Sequence, residues 1–340
     1  MAERLRGSGY EVELVGFAAA PRRVMASVVA GAGLGWAALA LSPFLVIALP
    51  GWPVALMGVG ALGLVALVTH GVARGQLPIS PADVEATNLV ARRGSPALWL
   101  VAHLDSKSQR ISLRGRVIAA VCAVVGLGLL LVMLALRLSE PVPPWTVLAL
   151  VTPALVGGGM LSLGAPGNRS PGAVDNATGI VAALVAAELL GSRDDVGVLL
   201  TGAEEFGMEG ARDWVARCEP VGAFINFDGL DSRGAYRIQV HPTAPGGGKS
   251  PVPSAGMAQA VAAALEEEGD DVVVRPLPLG TFVDGAVLAG AGMPGVTISR
   301  GDWETLGVVH TPRDEPGRVD VAAAVRAGQA AARVAEQLLG

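Results

Sequence analysis

The chain has 340 residues, of which 16% are charged and 51% hydrophobic, with a mean hydropathy of +0.51. Soluble domains carry about 25% charged residues, so this shortage of charge indicates that part of the chain lies in lipid. The net charge of −5 argues against electrostatic binding of nucleic acid, and the two cysteines, Cys122 and Cys218, exclude a disulfide scaffold and a cysteine-rich zinc site.

The first apolar block follows a short polar N-terminal segment. Residues 1–23 are predicted to contain the end of a helix at Glu3–Gly9 and a strand at Glu11–Phe17. No charged residue occurs from Val24 to Thr69, and Pro50-Gly51-Trp52-Pro53 within this run is a strong turn signal. Because a membrane span needs about 20 apolar residues, segment 24–72 is predicted to form a transmembrane helical hairpin. The run is too long for the apolar region of a cleaved signal peptide.

The second apolar block runs from Val117 to Leu163. It is interrupted only by two charged residues and the turn Pro141-Val142-Pro143-Pro144. Segment 117–165 is therefore predicted to form a second transmembrane hairpin, which gives two pairs of spans in the chain. Trp52 and Trp145 lie at the two turns, where an interfacial aromatic belt would place them. Buried core helices are a weaker alternative, because such helices rarely run this long without polar positions.

Basic residues are unequally distributed around the two hairpins. Only Arg137 lies in the hairpin turns, whereas eleven basic residues lie before the first hairpin or between the two. They are Arg4, Arg6, Arg22, Arg23, Arg74, Arg92, Arg93, Lys107, Arg110, Arg114 and Arg116. Because positively charged loops stay in the cytoplasm, the N-terminus, segment 73–116 and segment 166–340 are predicted to be cytoplasmic.

The segments outside the predicted spans, 1–23, 73–116 and 166–340, have the size of one ordinary α/β domain. Ala97–Ala102 is a continuous apolar run of the buried-strand type. Later elements are predicted as helix Gly179–Leu190, strand Val196–Leu200, helix Gly207–Arg217, strand Ala223–Phe227, helix Met257–Glu268, strands Val272–Val274 and Gly295–Ile298, and helix Val319–Leu339. This alternation predicts an α/β fold with a mostly parallel mixed sheet and helices on both faces.

Polar side chains that could bind metal follow several of these strands. They are His103, Asp105, Glu204, Glu205, Asp228 and His310. Each has an ordinary explanation when it is taken alone, as a helix cap, a solvated turn or a loop residue. Sites in open α/β sheets form outside the carboxyl ends of the strands, so these side chains are expected to converge. Converging carboxylates repel one another unless cations lie between them, which favours a metal site.

Five segments, in this order along the chain, resemble the M28 family of zinc aminopeptidases. They are Val101–Ser106 with its His-x-Asp, Pro171–Gly179 with its Asp-Asn, Thr201–Gly207 with its Glu-Glu, Ile225–Asp228, and His310-Thr311. The resemblance extends to Glu3–Phe17 and Thr87–Arg92 and covers nearly all of the chain outside the predicted spans. The long separation of His103 from Asp175 departs from the family pattern, and the second hairpin accounts for it.

The resemblance implies a zinc-peptidase-like fold with two zinc ions per chain. His103 and Asp228 would bind one ion, Glu205 and His310 would bind the other, and Asp175 would bridge them. Nitrogen and oxygen ligands of this kind suit zinc, and catalytic zinc sites keep one position open for water.

The resemblance also implies roles for residues that handle protons or orient ligands. Glu204 would be the general base, which takes a proton from water and delivers it to the leaving amine. Asp105 would fix the orientation of His103. Asp284 and Asp314 would have similar supporting roles.

The predicted function is a membrane-anchored di-zinc aminopeptidase that removes N-terminal residues from peptides. Its predicted partners are a peptide with a free N-terminus and the lipid bilayer, and no nucleic acid. The enzymatic alternative is a related zinc amidohydrolase or acyltransferase that acts on a non-peptide amide. A catalytically inactive binding or scaffold homologue is the alternative from another class, and zinc content would distinguish it. A transporter is less favoured, because the predicted spans carry no ionisable residue in their interiors.

Overall fold

The computed structural model describes residues 1–21, 84–137, 143–164, 166–218, 221–241, 254–278 and 281–340, and isolated positions between 33 and 63. The chain divides into two compact units. The sheet unit comprises Met1–Pro21, Ala82–Ser108 and Asn168–Gly340, and the helical unit comprises Arg22–Pro81 and Gln109–Gly167. The sheet unit is therefore built from three separate stretches of chain.

The described residues form ten strands and eight α-helices. The strands are β1 (Glu11–Ala19), β2 (Val84–Arg92), β3 (Leu98–His103), β4 (Ser108–Gln109), β5 (Pro166–Gly167), β6 (Val196–Thr201), β7 (Ala223–Leu230), β8 (Ala235–Val240), β9 (Val272–Pro276) and β10 (Gly295–Gly301). The helices are α1 (Ala2–Gly7), α2 (Leu113–Arg137), α3 (Pro144–Ser162), α4 (Thr178–Leu189), α5 (Glu209–Arg217), α6 (Ser254–Glu266), α7 (Asp284–Gly290) and α8 (Ala322–Leu339).

Eight strands form one mixed sheet in the order β1-β2-β6-β3-β7-β10-β8-β9, and β4 pairs with β5 separately. The four central strands β6, β3, β7 and β10 are parallel, as are β8 and β9. The pairs β1-β2, β2-β6 and β10-β8 are antiparallel. The predicted mixed α/β sheet is thus confirmed, with its parallel part at the centre.

Helices cover both faces of the sheet, and the composition of the central strands reflects this. Every residue of β3 and β6 is buried. A strand that is covered on both faces needs apolar residues at nearly every position, and its sequence is therefore an almost continuous apolar run. One face packs against α4, α6 and α8, and the other packs against α5 and α7. A Cβ at Gly328 of α8 would lie 2.5 Å from the carbonyl oxygen of Ala182 in α4, so glycine permits this close helix contact.

The helical unit contains two helices that are long and apolar enough to cross a membrane. They cover Leu113–Met133, with a hydropathy of 2.5, and Pro144–Ser162, with a hydropathy of 1.5, and only 22% of each is buried. They pack closely, since a Cβ at Gly126 would lie 2.3 Å from the backbone of Ala154. The first predicted hairpin, 24–72, lies outside the described residues except for isolated positions, so its two spans stay a prediction. One of those positions, Trp36, donates its indole N–H to the carbonyl oxygen of Leu155 at 3.0 Å.

Candidate active site

The predicted site residues meet at the carboxyl edge of the parallel strands. His103 is the last residue of β3, and Asp228 lies near the end of β7. Asp175 belongs to the turn that precedes α4. Glu204 and Glu205 begin a single 3-10 turn after β6. Four elements that are distant in sequence therefore deliver polar side chains to one place, as expected for an open α/β sheet.

The first group of possible metal ligands consists of His103, Asp175 and Asp228. His103 Nε2 is 3.0 Å from Asp175 Oδ1 and 3.7 Å from Asp228 Oδ1. The other ring nitrogen, Nδ1, is 3.0 Å from the backbone oxygen of Asp105. When Nδ1 donates a hydrogen bond to this oxygen, Nε2 presents a lone pair toward the two carboxylates, which is the form that binds metal.

The second group consists of Asp175, Glu205 and His310, which lies in the loop between β10 and α8. His310 Nε2 is 2.9 Å from Asp175 Oδ2 and 3.0 Å from Glu205 Oε1. The two oxygens of Asp175 therefore face different histidines. In each group the possible ligand atoms lie within 4.8 Å of one another. Asp175 is the member that the two groups share.

The electrostatics of these buried groups fit a bound cation. Asp175 Oδ1 and Glu205 Oε1 are buried beside ring nitrogens of His103 and His310. Burial acts to raise the pKa of Asp175, but hydrogen bonds and charge from His103 and His310 outweigh it and lower that pKa. Burial likewise opposes protonation of His310, but Asp175 and Glu205 raise its pKa to about 9. The cluster thus attracts positive charge, and its nitrogen and oxygen donors suit zinc.

Glu204 is buried beside the two groups and is a member of neither. Burial raises the pKa of Glu204 well above its usual range; the positive charge of His103 opposes this rise, and Asp228 adds to it. A carboxyl group with a raised pKa can accept and release a proton near neutral pH, as a general acid–base residue must. The role of Glu204 as general base stays a prediction.

Asp105 contacts the site differently from what its sequence motif suggests. Its carboxylate accepts hydrogen bonds from the backbone N–H of Glu204, at 3.0 Å, and of Glu205, at 3.1 Å. The same carboxylate is 3.8 Å from His103 Nδ1, which is too far for a hydrogen bond. Its side chain therefore holds the Glu204-Glu205 turn, while its backbone oxygen orients His103.

Lys107 is a site residue that the sequence did not identify. Its ammonium is 2.6 Å from Glu205 Oε2 and donates to the backbone oxygen of Glu205 at 3.1 Å. This ion pair is largely buried, with 15% of the Lys107 side chain and 5% of the Glu205 side chain exposed. Lys107 occupies one carboxylate oxygen and leaves Oε1 facing His310. Its position two residues after Asp105 is the only signal that could have indicated this role.

Asp314 fixes the backbone of Asp175, the residue that the two groups share. Its carboxylate accepts hydrogen bonds from the N–H of Val174 at 2.7 Å and of Asp175 at 3.3 Å. Asn176, the next residue, donates its side-chain amide to the carbonyl oxygen of Phe227 at 2.8 Å, close to Asp228 in β7. The turn before α4 is thereby fixed against two other parts of the site.

Asp284 lies beneath the site at the start of α7 and is 1% exposed. One of its carboxylate oxygens accepts a hydrogen bond from the hydroxyl of Thr201, the last residue of β6. Burial raises the pKa of Asp284 to about 7, although the bond from Thr201 opposes that rise. Asp284 therefore links α7 to the strand from which the Glu204-Glu205 turn emerges.

Solved structures similar to this chain include enzymes of two activities. A Porphyromonas gingivalis glutaminyl cyclase is 13% identical with a TM-score of 0.50, and the match covers 99% of this chain and 87% of that one. A Zn-dependent exopeptidase from Parabacteroides distasonis is 14% identical with a TM-score of 0.48, covering 99% and 87%. An aminopeptidase from Aneurinibacillus sp. strain AM-1 is 14% identical with a TM-score of 0.45, covering 75% of this chain. At this identity the likeness concerns the fold.

The chain spans only about half of the Aneurinibacillus aminopeptidase, 48% of its length. No curated protein matches the chain. The profile of Peptidase family M28, however, matches residues 88–335, which include all of the motifs described above from His103 to His310. The resemblance seen in the sequence is confirmed, and the chain belongs to peptidase family M28.

Proposed function

We propose that this chain is a membrane-anchored, zinc-dependent aminopeptidase. The observation that carries the proposal is the meeting of His103, Asp228, Glu205 and His310 around Asp175, in two groups that share this aspartate. Such a shared carboxylate is what a pair of neighbouring metal ions requires. Each group supplies one imidazole and two carboxylates, a set that leaves a position open for water or substrate.

The metal ions, when bound, would polarise the scissile carbonyl and make water more acidic. The residues of the chain would supply the rest of the chemistry. His103 and Asp228 would hold one ion, Glu205 and His310 the other, and Asp175 both. Their side chains are buried or partly buried, which reduces contact with bulk water and strengthens electrostatic interactions in the site.

Glu204 would carry the proton between water and the leaving amine. It is buried beside both ligand groups, and its raised pKa keeps it able to hold a proton during the reaction. The carboxylate of Asp105 fixes the turn that carries Glu204 through its backbone N–H. The general base is therefore held in position by a contact that does not occupy its own carboxylate.

The helical unit would anchor the enzyme in the bilayer through four spans. α2 and α3 have the required length and apolarity. The uninterrupted apolar run in 24–72 supports a second pair. The bias of basic residues supports a cytoplasmic N-terminus and a cytoplasmic peptidase domain. The substrate would then be a cytoplasmic peptide with a free N-terminus.

A second candidate is acyl transfer at an N-terminal glutamine, as in a glutaminyl cyclase. The observation behind it is that the fold of the Porphyromonas gingivalis enzyme matches 99% of this chain and 87% of that enzyme, a coverage that the Parabacteroides distasonis exopeptidase equals. The same ligand groups and the same acid–base residue could serve attack by an amine instead of water. This candidate falls within the acyltransferase alternative that the sequence left open.

Substrate assays on the purified full-length chain would separate the two candidates. The panel would include aminoacyl amides, short peptides and peptides with N-terminal glutamine, each with and without a zinc chelator. We expect release of N-terminal residues, loss of activity with chelator, and about two zinc ions per chain by elemental analysis. Cyclisation without hydrolysis would favour the second candidate. A chain that binds substoichiometric zinc and acts on no substrate would be a binding homologue.

A further inference from the structure

A second cluster of charge lies on β8 and β9, away from the metal ligands. Arg237 is opposite Val273, and Gln239 is opposite Arg275. Residues opposite each other in paired strands project on the same face of the sheet. The intervening residues of β8, Tyr236 among them, are buried in the main core. Arg237, Gln239 and Arg275 therefore share the other face, and we call these three residues the arginine face.

The arginine face is on the same side of the sheet as His103, which alternates along β3 with Trp99 and Val101, whereas Asp175 precedes α4 on the other face. Gln239 is opposite Thr297 of β10, whose hydroxyl accepts a hydrogen bond from the side-chain amide of Asn226 in β7 at 3.1 Å. Asp228 follows Asn226 by two residues, at the point where the pairing of β7 with β10 shifts register. α7 covers this face nearer the centre of the sheet, where Leu288 packs in the cluster that includes Phe224 of β7.

The arginine face has an acidic neighbour, Asp302, whose charge acts to raise the pKa of Arg237 but which forms no ion pair with it. Among the described residues, neither Arg237 nor Arg275 forms an ion pair, although other arginines nearby do so. These other pairs are Arg233 with Asp302 at 3.2 Å, Arg300 with Asp270 at 3.3 Å, Arg318 with Asp231 at 3.3 Å, and Arg326 with Asp270 at 2.7 Å. The chain that follows β8 and β9 contains no Asp or Glu in 242–253 or in 277–283.

The polar atoms of the arginine face are only partly bonded, and Arg237 Nη1 donates to the carbonyl oxygen of Gly301 at 2.5 Å. Gln239 is 6% exposed and donates its amide to Ser299 Oγ at 3.1 Å, but its Oε1 makes no hydrogen bond within the described chain. Arg275 Nε is likewise buried without an acceptor there. Burial and the like charge of Arg275 lower the pKa of Arg237, and the charge of Asp302 opposes this change. The two half-buried guanidinium groups are diagonal neighbours on β8 and β9, and a bound anion would relieve the repulsion between them.

The register of the sheet locates the arginine face relative to the reacting bond. Arg237 is opposite Ser299, and the neighbouring Ile298 is opposite Phe227, which precedes Asp228. β8 is the second strand from β7, so at about 4.8 Å per strand Arg237 lies about 10 Å along the edge from Asp228. One extended peptide residue covers about 3.3–3.6 Å. The distance therefore corresponds to two or three residues of bound peptide.

We propose that Arg237, Gln239 and Arg275 form a subsite for a carboxylate of the peptide substrate, two or three residues beyond the bond that is cleaved. The inference rests on the proposed peptidase function and deepens it, since it names the substrate class as acidic peptides. Guanidinium groups bind carboxylates through two parallel hydrogen bonds, a geometry that a single ammonium does not offer. The carboxylate would come from an acidic side chain or from the C-terminus of a short peptide.

Matched peptides on the full-length enzyme test the subsite. The substrates are tetrapeptide amides that carry glutamate or glutamine at the second, third or fourth residue, together with the same peptides bearing a free C-terminus. We expect the wild type to prefer glutamate at one position by about tenfold in kcat/KM, mainly through KM, as charge-assisted hydrogen bonds imply. Preference for the free C-terminus over the amide, without preference for glutamate, would identify the terminal carboxylate as the source.

Variants at the arginine face decide whether these residues cause the preference. In Arg237→Gln and in Arg275→Gln, the ratio of kcat/KM for the glutamate peptide to kcat/KM for the glutamine peptide should fall toward one. Arg275→Lys should keep only part of the wild-type preference for glutamate. Arg333→Gln is the matched control, because it removes one positive charge from an exposed arginine of α8 that pairs with Glu268. Thermal unfolding of each variant verifies that it is folded. A wild type with no acidic preference, or a preference retained in both glutamine variants, would overturn the proposal.

A binding measurement keeps this inference distinct from the proposed function. N-acetylated Ala-Glu-Ala has no free amino terminus and is not an aminopeptidase substrate. By calorimetry we expect it to bind Arg275→Gln about tenfold more weakly than wild type, and Arg333→Gln as well as wild type. Equal affinity for wild type and Arg275→Gln overturns the subsite even if peptides are hydrolysed. Weaker binding without any hydrolysis would support the subsite and refute the aminopeptidase.

Discussion

At the scale of single residues, the Glu204-Glu205 pair places two different roles on adjacent carboxylates. Glu205 faces His310 and Lys107, whereas Glu204 belongs to neither ligand group. Glu204→Gln should therefore retain zinc and lose about 10²–10⁴-fold in kcat, because only the proton transfer is removed. Glu205→Ala should lose zinc from one of the two positions. Elemental analysis and steady-state kinetics measure the two effects separately, and a fully active Glu204→Gln enzyme would show that the roles are wrongly assigned.

Lys107 provides a second test at this scale, because its contact with Glu205 Oε2 leaves only one oxygen free for a metal ion. Removing a residue that orients a metal ligand typically weakens metal binding by about 10–100-fold. We expect Lys107→Met to lose that much zinc affinity at the Glu205 and His310 position, with the other position little changed. Competitive titration with a fluorescent chelator measures both.

Lys107→Arg is the matched control, because arginine keeps the positive charge and has a side chain long enough to contact Glu205. This variant should keep most of the wild-type zinc affinity. Zinc binding by Lys107→Met that equals or exceeds that of the wild type would show that the ion pair is not needed to position Glu205.

At the scale of elements, the sequence predicted the strands that bury both faces more reliably than those that do not. Val196–Leu200 reads as a continuous apolar run, and β6 extends it by one residue. β8 was not predicted, because one of its faces carries the polar residues Arg237 and Gln239, which break the apolar run. α7 was missed because it is only seven residues long and contains two glycines. Short or half-covered elements depend on their neighbours more than on their own composition.

The same contrast applies to the site. The five possible ligands were identified because short segments of the chain resemble, in the same order, the motifs of the M28 family. The supporting contacts could not be predicted in that way. Asp105 acts through the backbone N–H of Glu204 and Glu205, and a sequence motif does not specify which backbone groups a side chain will reach. Lys107 was visible only as one more basic residue.

The second hairpin is the element whose removal is most informative. Replacing 117–165 with a few Gly and Ser residues should leave about two zinc ions per chain and preserve hydrolysis of a small soluble substrate. The physical reason is that closing a loop costs only about 0.6 kcal/mol per doubling of its length. The protein should remain bound to membranes through the first hairpin. Zinc content, activity and sedimentation with membranes measure the three outcomes, and loss of zinc from a folded variant would show that the hairpin shapes the site.

At the scale of the whole molecule, the basic bias predicts which side of the membrane holds the sheet unit. Cys218 is exposed in that unit and provides a native probe. In a Cys122→Ser background, an impermeant thiol reagent should leave Cys218 unlabelled when it is added to intact cells. The same reagent should label Cys218 after the cells are lysed. Ser139→Cys, in the second hairpin turn, should label in intact cells. Labelling of Cys218 before lysis would place the peptidase outside and contradict the charge argument.

The division of the sheet unit into three stretches has a consequence for biosynthesis. β2 and β3 are consecutive in the chain but are not neighbours in the sheet, because each pairs with β6, which is synthesised only after the helical unit. Their edges therefore stay open until β6 has been synthesised. At about 5–20 residues per second, the ribosome reaches His310 some tens of seconds after His103. If the helical unit enters a membrane and the site binds zinc, as proposed, we expect the complete ligand set to form only after both hairpins have been synthesised.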